Sequence, residues 1–219
     1  MRRSSAILLA CCAVAPAATA QQPGFRFSNP PADAQAESAE QAQRRAQVDA
    51  QLSTPCRDRI KNRRIVVLVG EERNGAVAAP QGQFGRHVEA INGRLQNLGL
   101  RTYSAEQIRK QVAQEEVDAY FKNDPDRALS ASKRLAAQYV LKGVIATQAF
   151  RNAAVNVNQV NVALDFTLTD AAGRPVSTAR AANAGYAGAD VSGMALQLIE
   201  ERADEVVAQL YADYCRKAR

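Results

Sequence analysis

The sequence predicts an α/β fold. We expect a mixed sheet of about five strands, in the order β-α-β-α-α-β-β-β-α, with helices packed on the sheet and a long helix at the C-terminal end. Three observations predict it. Residues 65–69 form an apolar, β-branched run that is typical of a buried strand. Residues 155–169 alternate between polar and apolar, and residues 191–214 carry apolar side chains at helical spacing.

The first strand is followed by a helix, a short strand and a second helix. Residues 84–98 carry apolar side chains three and four positions apart, which predicts an amphipathic helix. A short strand is expected at 100–103. Ser104 and Gln107 have the spacing of a capping box, which predicts that the second helix starts there and runs to about Phe121.

Two more helices are expected. Pro125 follows Asp124, and proline suits the first turn of a helix, so a helix is predicted from there through Leu135. The C-terminal helix is predicted from Val191 to Tyr214. At a rise of 1.5 Å per residue it would be about 36 Å long, which is enough to cross a whole sheet.

Three consecutive strands are predicted between these helices, at 139–150, 155–169 and 175–186. A turn that contains Gly173 joins the last two strands into a hairpin.

The apolar alternation changes phase inside the middle strand. Val155 and Val157 fall on the opposite phase from the apolar residues that begin at Val160. One extra residue near Asn158 and Gln159 would restore the phase, so a β-bulge is predicted there.

The first twenty residues have the pattern of a secretory signal peptide. Arg2 and Arg3 come first, an apolar run follows at 6–15, and small residues at Ala18–Ala20 form an A-x-A cleavage site. The apolar run is too short to cross a membrane as a helix. We therefore expect residues 1–20 to be removed on export, and the mature protein to work in the periplasm.

The mature N-terminus has two interpretations. Cleavage after Ala20 gives a secreted chain, whereas Leu8–Cys11 resembles a lipobox, which would leave a lipid anchor on Cys11. Residues 21–54 are rich in Gln and Ala without an apolar stripe, which predicts a polar tether that is disordered or marginally helical. Residues 55–219 are expected to form one globular domain.

Cys56 and Cys215 are the only cysteines outside the predicted signal peptide. In an oxidising compartment two such thiols tend to pair, so we expect a structural disulfide that ties the beginning of the domain to its end. Two free thiols are the alternative. A redox site is disfavoured because the sequence has no C-x-x-C motif.

The charge distribution argues against nucleic acid as a partner. The full sequence contains 28 Lys and Arg against 22 Asp and Glu. The basic clusters at 57–64 and 216–219 are short and flank the domain. Nucleic-acid-binding domains instead concentrate basic residues on one stripe or one helix face.

Patterns of catalytic residues are missing from the sequence. His87 is the only histidine, so a multi-histidine zinc site is excluded, and we interpret it as a surface or helix-flank residue of the first amphipathic helix. Gly70 and Gly75 have the spacing of a phosphate loop, but Ala76 and Val77 stand where Lys and Ser or Thr would be required. There is no G-x-S-x-G motif. The sequence therefore predicts no catalytic residue, no metal and no cofactor.

A glycine-rich segment at 70–83 is the candidate binding loop. It follows the carboxyl end of the first strand, the edge at which open α/β sheets tend to bind ligands or partners. Glu71, Glu72, Arg73 and Asn74 are its candidate partner-binding residues. A mobile surface loop without a ligand is the alternative.

Two stretches resemble a pattern that recurs in cell-envelope proteins. Residues 135–145, LAAQYVLKGVI, resemble a helix end that enters a central strand as A-x-x-Y-h-L-x-G-x-h, where h is apolar. Residues 162–176, VALDFTLTDAAGRPV, resemble the hairpin that follows in those proteins. The families are the curli-secretion lipoproteins (CsgG-like), the penicillin-binding-protein activators (LpoB-like) and the amino-terminal domain of TolB.

This resemblance implies an anticodon-binding-domain-like α/β fold that serves protein contacts without catalysis. It covers residues 64–212 in element order and is specific over 135–176. The insertions that build a membrane barrel in the curli channel are absent, so a pore is not expected. The residues of the resemblance are mostly packing and turn positions, and they bear on fold more than on function.

Export, the missing catalytic patterns and the resemblance together predict a function. We expect an exported, non-enzymatic periplasmic protein that binds another envelope component and assists assembly, secretion or cell-wall synthesis. A secreted hydrolase with an unrecognised carboxylate site is one alternative. A structural envelope protein without a dedicated ligand is the other.

Overall fold

The computed structural model of this chain describes residues 32–122, 124, 133–153, 156–187 and 190–217. The predicted signal peptide, Cys11 and most of the predicted helix from Asp124 to Leu135 lie outside these residues. The chain divides into two compact units, Met1–Glu40 and Gln41–Arg219. All of the sheet belongs to the second unit.

The described residues confirm the α/β fold class and the long C-terminal helix. We number the helices and strands in chain order. They are α1 (Ala32–Leu52), α2 (Arg57–Ile60), β1 (Arg64–Arg73), β2 (Ala76–Ala78), α3 (Gly85–Asn97), β3 (Arg101–Thr102), α4 (Ala105–Gln111), α5 (Gln114–Phe121), β4 (Tyr139–Asn152), β5 (Val157–Asp170), β6 (Pro175–Ala187) and α6 (Val191–Lys217).

The strands form one mixed sheet in the order β2-β1-β4-β5-β6, with β3 also paired to β1. Strand β1 runs parallel to β3 and β4, and the other neighbouring pairs are antiparallel. This mixture is expected because β1 and β4 are joined through helices, whereas β4, β5 and β6 follow one another directly. The predicted mixed sheet is therefore confirmed, and β2 is the strand that the sequence analysis missed.

Helices cover the two faces of the sheet unequally. The larger core lies between one face of the sheet and the helices α3 and α6, and it includes Val67, Leu141, Phe166 and Ile199. A smaller core lies on the opposite face, where α4 and α5 pack over β1 and the beginning of β4. Its buried members are Val66, Leu68, Ala79, Ile108, Val112, Val117, Leu135, Ala137 and Val140.

A disulfide joins Cys56 and Cys215, whose Cα atoms are 5.6 Å apart. Cys56 directly precedes α2, and Cys215 lies near the end of α6. Both side chains are buried in the larger core. The Tyr211 hydroxyl also donates a hydrogen bond to the Thr54 carbonyl oxygen. The C-terminal end of α6 is thus fixed to the segment before α2 by one covalent bond and one hydrogen bond.

The prediction of a loop that begins at Gly70 is wrong. Strand β1 continues to Arg73, and β2 pairs back on it antiparallel, with Glu72 opposite Val77. The turn between them is Asn74–Gly75, with φ of 53° and 78°. Asn-Gly is the preferred pair for a tight hairpin turn with positive φ at both positions, so this dipeptide was the missed signal.

The predicted single helix from Ser104 to Phe121 is two helices. The capping box of Ser104 and Gln107 is confirmed at the start of α4. Val112 then adopts an extended conformation and buries its side chain in the smaller core. The Glu116 carboxylate accepts a hydrogen bond from the Ala113 backbone N–H at 3.2 Å, which starts the next helix.

The predicted β-bulge at Asn158 and Gln159 is also wrong. Strands β4 and β5 pair without interruption from the Asn152–Val157 pair onward. Val157 simply lies on the face opposite Val160, and its side chain is half-buried there. The register irregularity lies elsewhere, between Leu168 and Thr169, where β5 pairs with β6.

Gln81 replaces a missing strand beside β1. Its side-chain amide accepts a hydrogen bond from the Val69 backbone N–H at 3.2 Å and donates to the Val69 and Ala79 carbonyl oxygens at 2.8 Å each. Gln81 is only 1% exposed. This stretch of β1 lies between its pairing with β3 and its pairing with β2, so the amide satisfies backbone groups that no neighbouring strand reaches.

We expect Gln81→Leu to lower the free energy of unfolding by about 2 kcal/mol, because it leaves the buried N–H and carbonyl groups of Val69 without their side-chain partner, whereas the Ala79 carbonyl oxygen keeps its hydrogen bond from Gln114. Chemical denaturation measures the change. Gln83→Leu is the matched control, since Gln83 is exposed and the change there should stay within about 0.5 kcal/mol. Equal effects of the two substitutions would contradict this role of Gln81.

Candidate functional site

Part of the sheet is left uncovered by the described helices. We call it the open face. It is the side of β4, β5 and β6 that points away from α6. Its side chains on β6 are exposed and those on β4 and β5 are half-buried or exposed. It consists of Val144, Ala146, Gln148, Phe150, Gln159, Asn161, Ala163, Asp165, Arg180, Ala182, Ala184 and Tyr186.

The strand register arranges the open face into rows that cross the strands. In the middle row Ala146 is opposite Ala163, and Ala163 is opposite Ala182. Glu72 of β1 is opposite Ala146 and therefore lies at the end of this row. Directly opposite residues on neighbouring strands present their side chains on the same face. The row is thus a shallow floor of methyl groups that ends at a carboxylate.

An aromatic row lies on one side of this floor. Phe150 is opposite Gln159, which is opposite Tyr186. Phe150 is 47% exposed and Tyr186 is 59% exposed, and they are the exposed large hydrophobic side chains among the described residues. Between the two rows, Gln148, Asn161 and Ala184 form a row with two side-chain amides.

A charged row lies on the other side of the floor. Val144 is opposite Asp165, and Asp165 is opposite Arg180, with which it forms an ion pair. Both side chains of the pair are more than half exposed, so the pair adds little to stability. Its effect on the surface is to cancel one charge with another. The open face therefore combines an aromatic margin, a small apolar floor and a neutral polar margin.

The candidate residues of the β1–β2 hairpin are not all brought to one place. Glu72 lies at the end of the alanine row, on the side of the open face. Glu71 alternates to the other face and interacts electrostatically with His87. Arg73 is the last residue of β1, and Asn74 is an exposed turn residue. Of the four, the structure connects Glu72 with the open face.

His87 lies on α3, away from the open face, and is half-buried. Its ring meets Phe84 edge to face at 5.6 Å, and its Nδ1 atom is buried without a hydrogen-bond partner among the described residues. Burial lowers the pKa of His87 below its ordinary value of 6.5, and Arg86 lowers it further, while Glu200 and Glu71 act in the opposite direction. A half-buried position on α3 fits the interpretation of His87 as a surface or helix-flank residue.

Because the pKa of His87 is lowered by folding, the folded state takes up a proton at a lower pH than the unfolded state does. The unfolded state binds the proton first as the pH falls through 6.5, so we expect stability to decrease from there down to the folded-state pKa. Above pH 6.5 the contribution is fully present. Denaturant unfolding across this range measures the effect, and His87→Gln is the control that should remove this part of the pH dependence. An unchanged pH profile in that variant would contradict the assignment.

Neither of two cavities in the described part of the chain gathers two carboxylates. One, of about 40 Å³, lies in the larger core and is lined by aliphatic side chains and three tyrosines. The other, of about 360 Å³, is an open depression at residues 52–59 that includes one acid, Asp58. No group of three His, Cys, Asp or Glu that could hold a metal occurs among the residues that are described.

None of the described helices is long and apolar enough to span a membrane.

No family model and no curated protein matches the chain. Several solved structures are similar to part of it. The PelC dodecamer from Paraburkholderia phytofirmans is 19% identical, with 72% of this chain and 90% of that chain covered and a TM-score of 0.40. Lipoprotein GNA1162 from Neisseria meningitidis is 14% identical, with 65% and 96% covered and a TM-score of 0.46.

The C-terminal domain of LpoB from Salmonella enterica is 19% identical to this chain. The similarity covers 63% of this chain and 93% of that domain, with a TM-score of 0.39. Identity and structural overlap are low in all three cases.

Proposed function

We propose that this chain is an exported, non-enzymatic protein of the periplasm that binds another envelope protein on its open face. The observation that carries the proposal is the position of Phe150 and Tyr186. They are exposed in one row, beside a floor of alanines on a sheet face that the described helices leave uncovered. Exposed apolar patches with a polar margin are typical of surfaces that bind proteins.

The composition of the open face suits contact with a protein chain. Small side chains at Ala146, Ala163 and Ala182 allow a partner backbone to come close to the sheet. The amides of Gln148 and Asn161 offer both donors and acceptors to that backbone. Aromatic side chains at the margin supply most of the apolar area, and such residues often dominate binding energy.

The hairpin residues extend the proposed surface at one end. Glu72 places a carboxylate at the end of the alanine row, and the exposed Asn74 lies in the neighbouring turn. We assign Glu72 and Asn74 to the margin of the contact surface, with Arg73 between them in the chain. Glu71 interacts with His87 on the other face, and we leave it out of the proposed contact.

The location and the non-enzymatic character rest on the sequence. The pattern at residues 1–20 supports export, and the resemblance of residues 135–176 to envelope proteins supports a periplasmic binding role. Mass spectrometry of the mature N-terminus tests the first point. Gln21 as the first residue supports simple secretion, an acylated Cys11 supports a lipid anchor, and an uncleaved N-terminus contradicts export.

Site-specific photo-crosslinking in living cells tests the binding surface. A photoreactive residue replaces Ala163 on the open face in one strain and Gln197 on the exposed side of α6 in another. We expect one defined protein adduct from position 163 and none from position 197. Adding Phe150→Ser and Tyr186→Ser should remove the adduct with less than about 0.5 kcal/mol change in stability, since both side chains are exposed.

Two outcomes would contradict the proposal. Equal adducts from both positions, or adducts that survive loss of both aromatics, would show that the open face is not the contact surface. Turnover of a peptidoglycan or glycan substrate by the purified protein, abolished by one carboxylate substitution, would show an enzyme instead.

A further inference from the structure

The two edges of the sheet differ in how they are protected. On one edge β2 has only three residues, and Gln81 fills the place beside Val69. On the other edge β6 is a thirteen-residue strand that, in the described part of the chain, pairs with β5 on one side only. An unpaired strand edge presents backbone N–H and C=O groups that can pair with another chain, and proteins usually block it with charges, proline or short strands.

Among the described residues, strand β6 is blocked at its beginning, and one later group is engaged locally, since the Ala184 backbone N–H donates a hydrogen bond to the Asn183 side-chain oxygen at 3.0 Å. Pro175 lacks an N–H group, and the Lys217 side chain donates a hydrogen bond to the Val176 carbonyl oxygen at 2.5 Å. From Ser177 to Ala187 the strand contains one charged side chain, Arg180, and no proline. Five of its residues are alanine, so small side chains leave room for a neighbouring strand on both faces.

We propose that this edge binds a second copy of the chain, with two β6 strands paired antiparallel about a twofold axis through Ala182. No second strand pairs with the stretch from Ser177 to Ala187 among the described residues, and Ala182 is its middle residue. A twofold axis there pairs the whole stretch with itself, with the Ala184 N–H released from its local bond to the Asn183 side chain. Two sheets then become one continuous sheet, and each open face continues into the other.

The charges of β6 favour this register. Arg180 lies opposite Ala184 of the partner subunit, so the two arginines do not face each other across the axis. Each Arg180 is already paired with Asp165 of its own sheet. Like charges directly opposite each other destabilise a strand pair, and this register avoids them.

This register also places a residue of the partner subunit beside the aromatic row. Tyr186 lies opposite Thr178 of the partner subunit, which places a polar, β-branched side chain beside an exposed ring. Thr178 is opposite Thr167 within its own sheet, so the aromatic row of one copy continues into a threonine row of the other. Aromatic and β-branched residues are favourable cross-strand neighbours.

Two carboxylates of α6 bond to side chains on the helix side of β6. Glu201 of α6 accepts a hydrogen bond from the Asn183 side chain at 2.8 Å, and Asp213 accepts one from Ser177 at 2.8 Å. Both carboxylates are therefore engaged within their own chain. Two copies of α6 would run antiparallel beside each other, which opposes their helix dipoles.

Disulfide trapping tests the axis. Ala182→Cys places two thiols directly opposite each other, and we expect mild oxidation of the purified mature chain to link most of it into a covalent dimer. Ala172→Cys is the matched control, because Ala172 is an exposed alanine in the β5–β6 turn, far from the axis. We expect at least tenfold less covalent dimer from it. Equal linking of the two variants would overturn the proposal.

Sedimentation equilibrium provides an independent measurement. The native chain should be a dimer and Ala182→Arg a monomer, because the substitution sets two arginines opposite each other. Ala163→Arg changes the residue paired with Ala182 on the inner strand and should remain a dimer. A monomeric native chain, or a dimer that persists in Ala182→Arg, would overturn the proposal. Phe150→Ser should also remain a dimer, which separates this inference from partner binding on the open face.

Discussion

Replacing both Cys56 and Cys215 by serine is expected to lower the free energy of unfolding by about 5 kcal/mol. The two residues are separated by 159 positions, and a crosslink over so long a loop removes a large part of the conformational entropy of the unfolded chain. Because a domain of this size has a total stability of roughly 5–15 kcal/mol, this loss is large enough to unfold much of the protein at growth temperature. Denaturant titration measures the difference.

The oxidised protein supplies its own control. Reducing agent should lower the stability of the native chain to the level of the double serine variant and should leave that variant unchanged. If alkylation of the denatured, unreduced protein from its natural source labels both sulfurs, the disulfide does not form there. Both the stabilisation and the inference of an oxidising compartment would then fail.

The sequence predicted those elements whose signal is local. Apolar spacing located α3 and α6, a β-branched run located β1, and Ser104 with Gln107 located the start of α4. The errors are local as well. Asn74–Gly75 was a turn signal that was overlooked. The change of apolar phase before Val160 was interpreted as one inserted residue, although the strand is continuous and Val157 lies on the opposite face.

The candidate site depended on information that is not local. Phe150, Gln159 and Tyr186 are far apart in the sequence, and only the register of three strands makes them neighbours. The same holds for the row of Ala146, Ala163 and Ala182. An alanine in a strand predicts neither burial nor exposure by itself. Which face of the sheet a helix covers depends on the strand order and on the crossover connections. A hydrophobicity pattern carries no information about either.

Long-range packing also explains why residue 143 is a glycine. Gly143 is the glycine of the stretch at 135–145 that resembles envelope proteins. It is opposite Phe166 in the β4–β5 pair, on the face that α3 and α6 cover. A Cβ atom on Gly143 would contact the Phe166 ring at Cε1 and would lie 2.9 Å from both Cδ1 and Cζ. Phe166 is 2% exposed and has little freedom to move. The glycine is therefore required by the ring on the neighbouring strand.

We expect Gly143→Ala to lower the free energy of unfolding by about 3 kcal/mol, because the added methyl group displaces a tightly packed ring. Gly93→Ala is the matched control. Gly93 is exposed on α3 with no atom near its Cβ position, so alanine there should stabilise the protein by about 0.5–1 kcal/mol through helix propensity. The two Gly→Ala substitutions should thus change the free energy of unfolding in opposite directions, which separates the effect of packing from that of helix propensity. Denaturant unfolding measures both changes.

A double-mutant cycle identifies Phe166 as the cause. Phe166→Leu alone should destabilise the protein, since it removes a buried ring from the larger core. In that background the space above Gly143 is larger, so adding Gly143→Ala should cost at least about 1 kcal/mol less than it does in the native chain. If the alanine costs the same in both backgrounds, the strain comes from the β4 backbone, and the ring of Phe166 does not explain the glycine.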